Sequence, residues 1–177
     1  MKITVSGIVG SGKSTVSKIL AERLGFEYHS VGKIMRMLAT NKKISLIELS
    51  KLSEKDDSVD KELDEIQLEI GKTMDNFVMD SRLGFHFIPD SFKVFLDVDL
   101  DSSVNRIYAD KRRDEKYESK EKAREEIKRR IDSEKIRYLK YYGINFPSGC
   151  KFDLVVDTKD KAVEEVVEEI IKAIKKV

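Results

Sequence analysis

Eight consecutive residues, Gly7-Ile8-Val9-Gly10-Ser11-Gly12-Lys13-Ser14, meet the spacing G-x-x-x-x-G-K-[ST]. Each residue type in that pattern has a task in holding a polyphosphate. Glycines at 7, 10 and 12 let backbone N–H groups turn inward and wrap a β-phosphate as an anion nest. Lys13 reaches the β- and γ-phosphates, the Ser14 hydroxyl ligates Mg2+, and Thr15 bonds the α-phosphate. A helix opening at Lys13 aims its positive end at the same group. The pattern predicts an ATP-binding loop contacted through Gly7, Ile8, Val9, Gly10, Ser11, Gly12, Lys13, Ser14 and Thr15, with Lys13 also catalytic.

Asp80 closes the apolar run Phe77-Val78-Met79, where a carboxylate can hold a Mg2+-bound water. Ser14 and Asp80 are therefore the predicted metal site. The only Asn-Lys pair, Asn41-Lys42, continues as Lys43-Ile44, so the guanine motif Asn-Lys-x-Asp is missing and a GTPase is excluded. With 177 residues the chain is too short for an AAA-type motor. A small-molecule kinase remains, and it needs a second anion site together with cations around the transferred phosphoryl group. Separated arginines supply these: Arg36, Arg82, Arg106, Arg112, Arg113, Arg130 and Arg137. Arginine suits the task because its fork binds phosphate oxygens in a bidentate way. Arg36 and Arg82 follow strands, on the carboxyl edge where α/β proteins bind ligands. Arg130, Glu134 and Arg137 stand at i, i+4 and i+7 on one helix face, which fits either a phosphate-and-ribose clamp or an intrahelical ion-pair ladder.

The elements that must position these residues alternate. Strand patterns at 2–6, 26–29, 76–80, 93–98 and 153–157 are separated by helical patterns at 13–24, 31–38, 46–52, 59–73, 102–142 and 161–176. Such alternation implies crossovers between parallel strands and a three-layer α/β sheet. No repeat, linker or low-complexity tract divides the chain, so one domain is expected. The composition is 40% hydrophobic and 38% charged, and 34 Lys plus Arg against 33 Asp plus Glu leave a formal net charge of +1. That balance asks for neither nucleic acid nor membrane as partner. One cysteine, Cys150, precludes an intramolecular disulfide and suits a reducing compartment. With no membrane-length apolar run and no room for a signal peptide before the first strand, a soluble cytoplasmic protein is expected.

The order of motifs resembles the nucleoside monophosphate kinases, and within them the cytidylate kinases of archaeal type. The resemblance spans nearly the whole chain. It runs from Ile3-Thr4-Val5-Ser6-Gly7 into the loop, through Ser14-Thr15-Val16, Ala21-Glu22-Arg23-Leu24-Gly25 and Ser30-Val31-Gly32-Lys33-Ile34-Met35-Arg36. It continues with Asp60-x-x-Leu63-Asp64-x-x-Gln67 and Asp80-Ser81-Arg82-Leu83. It ends with Arg130-x-x-x-Glu134-x-x-Arg137-Tyr138 and Tyr142-Gly143-Ile144. The loop itself is shared by many families; the later segments are more particular.

The resemblance implies a P-loop NTPase fold with a five-stranded parallel sheet, an acceptor-binding helical subdomain at about 32–76 and a lid at about 111–119. It further implies transfer of a phosphoryl group from MgATP to a nucleoside monophosphate, CMP or dCMP first, by a monomer. Arg36, Arg82 and Arg130 would hold the acceptor phosphate, Glu134 the ribose, and Arg137 the phosphate or base, with Ser30, Gly32 and Asp64 completing the acceptor site. Arg106 would face ATP, and the lid arginines Arg112 and Arg113 would close on the transferred group. Adenylate-, dephospho-CoA- or shikimate-type kinases and a non-catalytic ATP-binding module share the loop and stay open as alternatives. The sequence departs from the family at Ser81, where Gly is usual, and in the run Gly84-Phe85-His86-Phe87, whose two bulky aromatics bear on the acceptor base pocket.

Overall fold

A computed structural model of the protein describes residues 1–44, 46–110 and 117–176. Its strands are β1 (Lys2–Gly7), β2 (Glu27–Ser30), β3 (Phe77–Asp80), β4 (Phe92–Asp97) and β5 (Leu154–Asp157). They pair in the order β2-β3-β1-β4-β5, every neighbour parallel. The helices are α1 (Lys13–Leu24), α2 (Val31–Asn41), α3 (Leu46–Lys55), α4 (Ser58–Thr73), α5 (Gly84–Phe87), α6 (Leu100–Ala109), α7 (Lys120–Tyr142) and α8 (Val163–Ile174). None is long and apolar enough to cross a membrane among the described residues.

Strand side chains alternate between two covered faces. Ile3, Val5, Val78, Val94, Leu96 and Val156 turn to one side and are sealed by Val16 and Leu20 of α1 and Val166, Val167 and Ile170 of α8. On the other side, Phe77 and Met79 meet Ile88, while Phe95 meets Tyr138 of α7 and Phe146. Fully burying each of these side chains stabilises the fold by about 1.5–3 kcal/mol. Between β2 and β3, helices α2, α3 and α4 close around a small core of their own, Ala39, Leu49, Val59 and Leu63.

The long charged segment expected as mostly helical over 102–142 is two helices. Asp99 caps α6 by accepting from Ser102 N at 2.9 Å, and Ser119 caps α7 by accepting from Lys122 N at 3.2 Å. A hydroxyl that satisfies a free N–H at a helix start stabilises a break there, and periodicity alone does not report it. The short helix α5 was also not expected, and it redirects the chain after β3.

The sheet register gathers the functional ends. Ser30 pairs with Asp80 across β2 and β3, Val5 with Asp80 across β1 and β3, and Gly7 with Leu96 across β1 and β4. The chain leaves β1 for α1 on one face of the sheet and leaves β3 and β4 for the other face. A crevice therefore opens at the carboxyl end of β1, where open α/β sheets bind ligands.

Candidate active site

The loop between β1 and α1 is held in a shape that only glycine permits. Gly10 has φ +78°, and a Cβ there would lie 2.6 Å from Ser103 Oγ. A Cβ on Gly7 would strike the Leu96 carbonyl oxygen. Ser103 Oγ donates to Val9 O at 2.6 Å, tying α6 to the back of the loop. Gly12, in the left-handed region, starts α1 with no side-chain cap. The first N–H groups of α1 are thus left facing the crevice as anion donors.

Lys13 Nζ donates to Gly7 O at 3.0 Å and Ile8 O at 3.2 Å. Desolvation by the protein packed around this ammonium lowers its pKa to about 7, and the positive Arg82 adds to the effect. Asp80 and Glu134 oppose it. Ser14 Oγ donates to Asp80 Oδ2 at 2.6 Å, so the two predicted metal donors lie together. The same oxygen receives Tyr28 OH at 3.2 Å and Ser30 Oγ at 3.3 Å. Burial, then the neighbouring Asp80 charge, raises the Tyr28 pKa. One hydroxyl and one carboxylate are hard oxygen donors that suit Mg2+ arriving with phosphates and keeping several waters. No cluster of three or more Asp, Glu, His or Cys among the described residues offers a cage made of protein alone.

Across the crevice lies the second charged group. Arg82, two residues past β3, places Nε 2.7 Å from Glu134 Oε2. Glu134 Oε1 accepts from Arg130 Nε at 3.2 Å. Of the helix-face residues, Arg130 and Glu134 form one intrahelical rung, while the other Glu134 oxygen reaches Arg82 on a different element. Arg137 leaves the ladder and places Nε 3.4 Å from Asp60 Oδ2 on α4. The Arg82 and Arg137 Nε atoms are buried and direct no hydrogen bond to a protein acceptor, so these are contacts of charge. Burial, then the Glu134 charge, pushes the Tyr138 hydroxyl up to about 12.

Asp64 on α4 accepts from Tyr142 OH at 2.6 Å. Desolvation raises its carboxyl to about 6 against the lowering effect of that hydrogen bond. Arg36 is exposed on α2, and its guanidinium makes no ion pair or hydrogen bond among the described residues. Gly32 lies one turn before it, in the first turn of α2. Ser30, a predicted acceptor contact, caps α2 through Lys33 N and turns its hydroxyl to Asp80. Arg106 donates to Thr158 O, to the Thr158 hydroxyl at 3.0 Å, to Lys159 O at 3.0 Å and to Gly10 O at 3.5 Å. It joins the phosphate loop to the turn after β5. Arg112 and Arg113 lie outside the described residues.

The profile of the cytidylate kinase-like family matches residues 2–160. The chain belongs to the cytidylate kinase-like family. It is 35% identical to the cytidylate kinase of Methanobrevibacter smithii over 99% of both chains. It is 38% identical to that of Natronomonas pharaonis, over 98% of this chain and 90% of the relative. Among solved structures, a shikimate kinase from Bacteroides thetaiotaomicron aligns with TM-score 0.65 and 14% identity over 99% of this chain and 98% of its own. At that identity the likeness shows the fold, the three-layer α/β fold of P-loop kinases.

The Ser81 side chain is taken up within the protein. Ser81 is buried and its hydroxyl donates to Gln67 Oε1 on α4, while Gln67 Nε2 donates to Leu63 O at 3.2 Å. Phe85 stacks on Phe146 and meets Phe152 edge-on at 5.0 Å. Phe87 packs with Phe77, Met79 and Ile88 and meets Tyr142 edge-on at 5.7 Å. Both rings of this family member are thus spent on packing. Ser81→Gly leaves the buried Gln67 carbonyl oxygen without its donor and frees the backbone, so a loss of about 1–2 kcal/mol in urea unfolding is expected. The acceptor preference of that variant stays as in the parent chain; a changed preference would place Ser81 in the pocket.

Tyr28 and Tyr142 are functional candidates to which motif reading assigns no role. Tyr28 had a signal: it stands two residues before Ser30 on β2, and period two puts both on one face of the strand. Tyr142 stands in the Tyr142-Gly143-Ile144 segment, but that segment names no partner for it, because Asp64 is 78 residues away.

Proposed function

We propose that this protein transfers the γ-phosphoryl group of ATP to a nucleoside monophosphate, with CMP and dCMP as the preferred acceptors. The observation that carries this reading is the facing of two anion sites across one crevice. On one side stand the glycine loop, Lys13 and the Ser14–Asp80 pair; on the other, Arg82 and Arg130 gathered on Glu134. Family membership and the cytidylate kinases among its relatives support the choice of acceptor.

Mg2+ arriving with ATP would offset phosphate charge, and Ser14 and Asp80 are the residues that would hold it. The protein's own work is positioning. Lys13 moves from the Gly7 and Ile8 carbonyls to phosphate oxygens, and its charge is favoured as it does so. Arg82 and Arg130 hold the acceptor phosphate, and Glu134 takes the ribose. No general base is needed, because a monophosphate acceptor is already ionised.

ADP release with MgATP against CMP, dCMP, UMP, AMP, GMP and shikimate tests the reading. Turnover fastest with CMP and dCMP supports it. ATP binding with no acceptor-stimulated release refutes it. The pH profile tests Lys13 separately. The ratio kcat/KM for ATP reports groups of the free protein, and Lys13 must be charged to bind phosphate. With a pKa near 7, kcat/KM for ATP is expected to fall about tenfold per pH unit above that value. Phosphate contact raises the Lys13 pKa, so the kcat limb lies at higher pH. A kcat/KM flat to pH 9 would overturn the assignment.

A further inference from the structure

Two contacts cross from α4 to α7 beyond the phosphate end of the crevice: the ion pair of Asp60 with Arg137 and, one turn further along α4, the hydrogen bond of Tyr142 to Asp64. The second has the features of a reading group. Asp64 is half-buried, its Oδ2 accepts the Tyr142 hydroxyl, and its Oδ1 accepts from no described residue. The Tyr142 ring is itself held, edge-on to Phe87 at 5.7 Å and tilted against His86 at 6.1 Å. The carboxylate is thus fixed at one oxygen and open at the other.

We propose that Asp64, positioned by Tyr142, is the group that distinguishes a cytosine edge from a uracil edge in the acceptor. This rests on the nucleoside monophosphate reading given above. Direction along α7 places the base there. Toward the start of α7, Val9, Val104, Ile107, Ala123 and Ile127 pack into a closed apolar cluster that offers a base edge no polar partner. The other direction passes Glu134 and Arg137 and reaches Tyr142 about 12 Å beyond Glu134 at the helical rise.

Cytosine presents an amino donor at C4, and uracil presents a carbonyl oxygen there. A carboxylate only accepts. Asp64 Oδ1 takes a hydrogen bond from the amino group and repels the uracil O4. Tyr142 cannot rescue uracil, because its proton is already committed to Asp64. Thin solvation of the carboxylate, which lifts it to about 6, sharpens the choice: the amino group restores a missing donor, whereas O4 leaves a buried charge facing an acceptor. Arg137 and Asp60 also face this carboxylate, with opposite signs, and they are paired with each other.

The test is the ratio of kcat/KM for CMP to that for UMP in the parent chain, Asp64→Asn and Tyr142→Phe. Asparagine offers both an acceptor and a donor and accommodates either base, so the ratio is expected to fall at least tenfold. Tyr142→Phe keeps the ring packing and frees the carboxylate, so a several-fold fall is expected there, and this mild variant serves if Asp64→Asn folds poorly. Groups that only brace α4 against α7 would lower both rates together and reduce thermal stability. Ratios within twofold of the parent in both variants overturn the proposal, as does a parent chain that uses CMP and UMP equally. A parent chain that phosphorylates no nucleoside monophosphate overturns the functional reading instead, and this inference with it.

Discussion

Lys13→Ala is expected to lower phosphoryl transfer by about a thousandfold or more while the protein stays folded. The lost factor corresponds to roughly 4 kcal/mol of transition-state stabilisation, the scale of one preorganised charge or donor at a developing anion. ATP still binds, more weakly, because the backbone N–H groups of the loop and α1 remain. The fold survives for an electrostatic reason. The folded chain holds Lys13 near 7 and the unfolded chain near 10.5, so between those values the unfolded state binds more protons. Stability therefore rises with pH across that window, and at neutral pH the crowded ammonium is a burden that alanine removes. Coupled ADP release reads the first effect and thermal melting the second. A variant retaining activity within tenfold of the parent would remove Lys13 from the mechanism.

Arg82→Ala is expected to have two separable effects. Glu134 is buried, and losing Arg82 leaves its charge with Arg130 alone, so stability falls by about 3 kcal/mol. The acceptor loses its most enclosed cation, so kcat/KM for CMP falls by roughly 10²–10³. The double variant Arg82→Ala/Glu134→Ala regains much of the stability, since no unpaired carboxylate remains, but it regains no acceptor use. The pair is coupled, so the stability losses of the two single variants are not additive. An Arg82→Ala protein with parental kcat and KM for CMP would mean that the pair Arg82–Glu134 is architecture and that the acceptor phosphate binds elsewhere.

The glycine loop between β1 and α1 was legible in the sequence because its geometry is local. Eight contiguous residues create the nest, and a strand before and a helix after orient it. Asp80 was legible for a related reason: a carboxylate ending an apolar strand beside such a loop has few other places to be. Parallel strands and a covered sheet followed from the alternation of apolar runs with helical periods, and the structure has that order. Where the chain breaks was less legible. Ser119 ends the apparent unity of the charged helix by capping α7, and a cap is one hydroxyl against forty residues of helical period.

What the charged face of α7 meets needed the tertiary structure. Helical spacing placed Arg130, Glu134 and Arg137 on one face but could not say what that face meets. Only the folded chain shows that Glu134 divides its oxygens between Arg130 and Arg82, that Arg137 turns to Asp60, and that Arg106 spends its donors behind the loop. The aromatics after Arg82 carried the same ambiguity; bulk at positions 85 and 87 is visible in sequence, whereas its direction is set by the packing around Phe146 and Tyr142. Periodicity and motif spacing report which side chains share a surface, because backbone geometry is local. Which surfaces are pressed together, and so which charges meet, is set by sheet order and core packing among residues far apart in the chain.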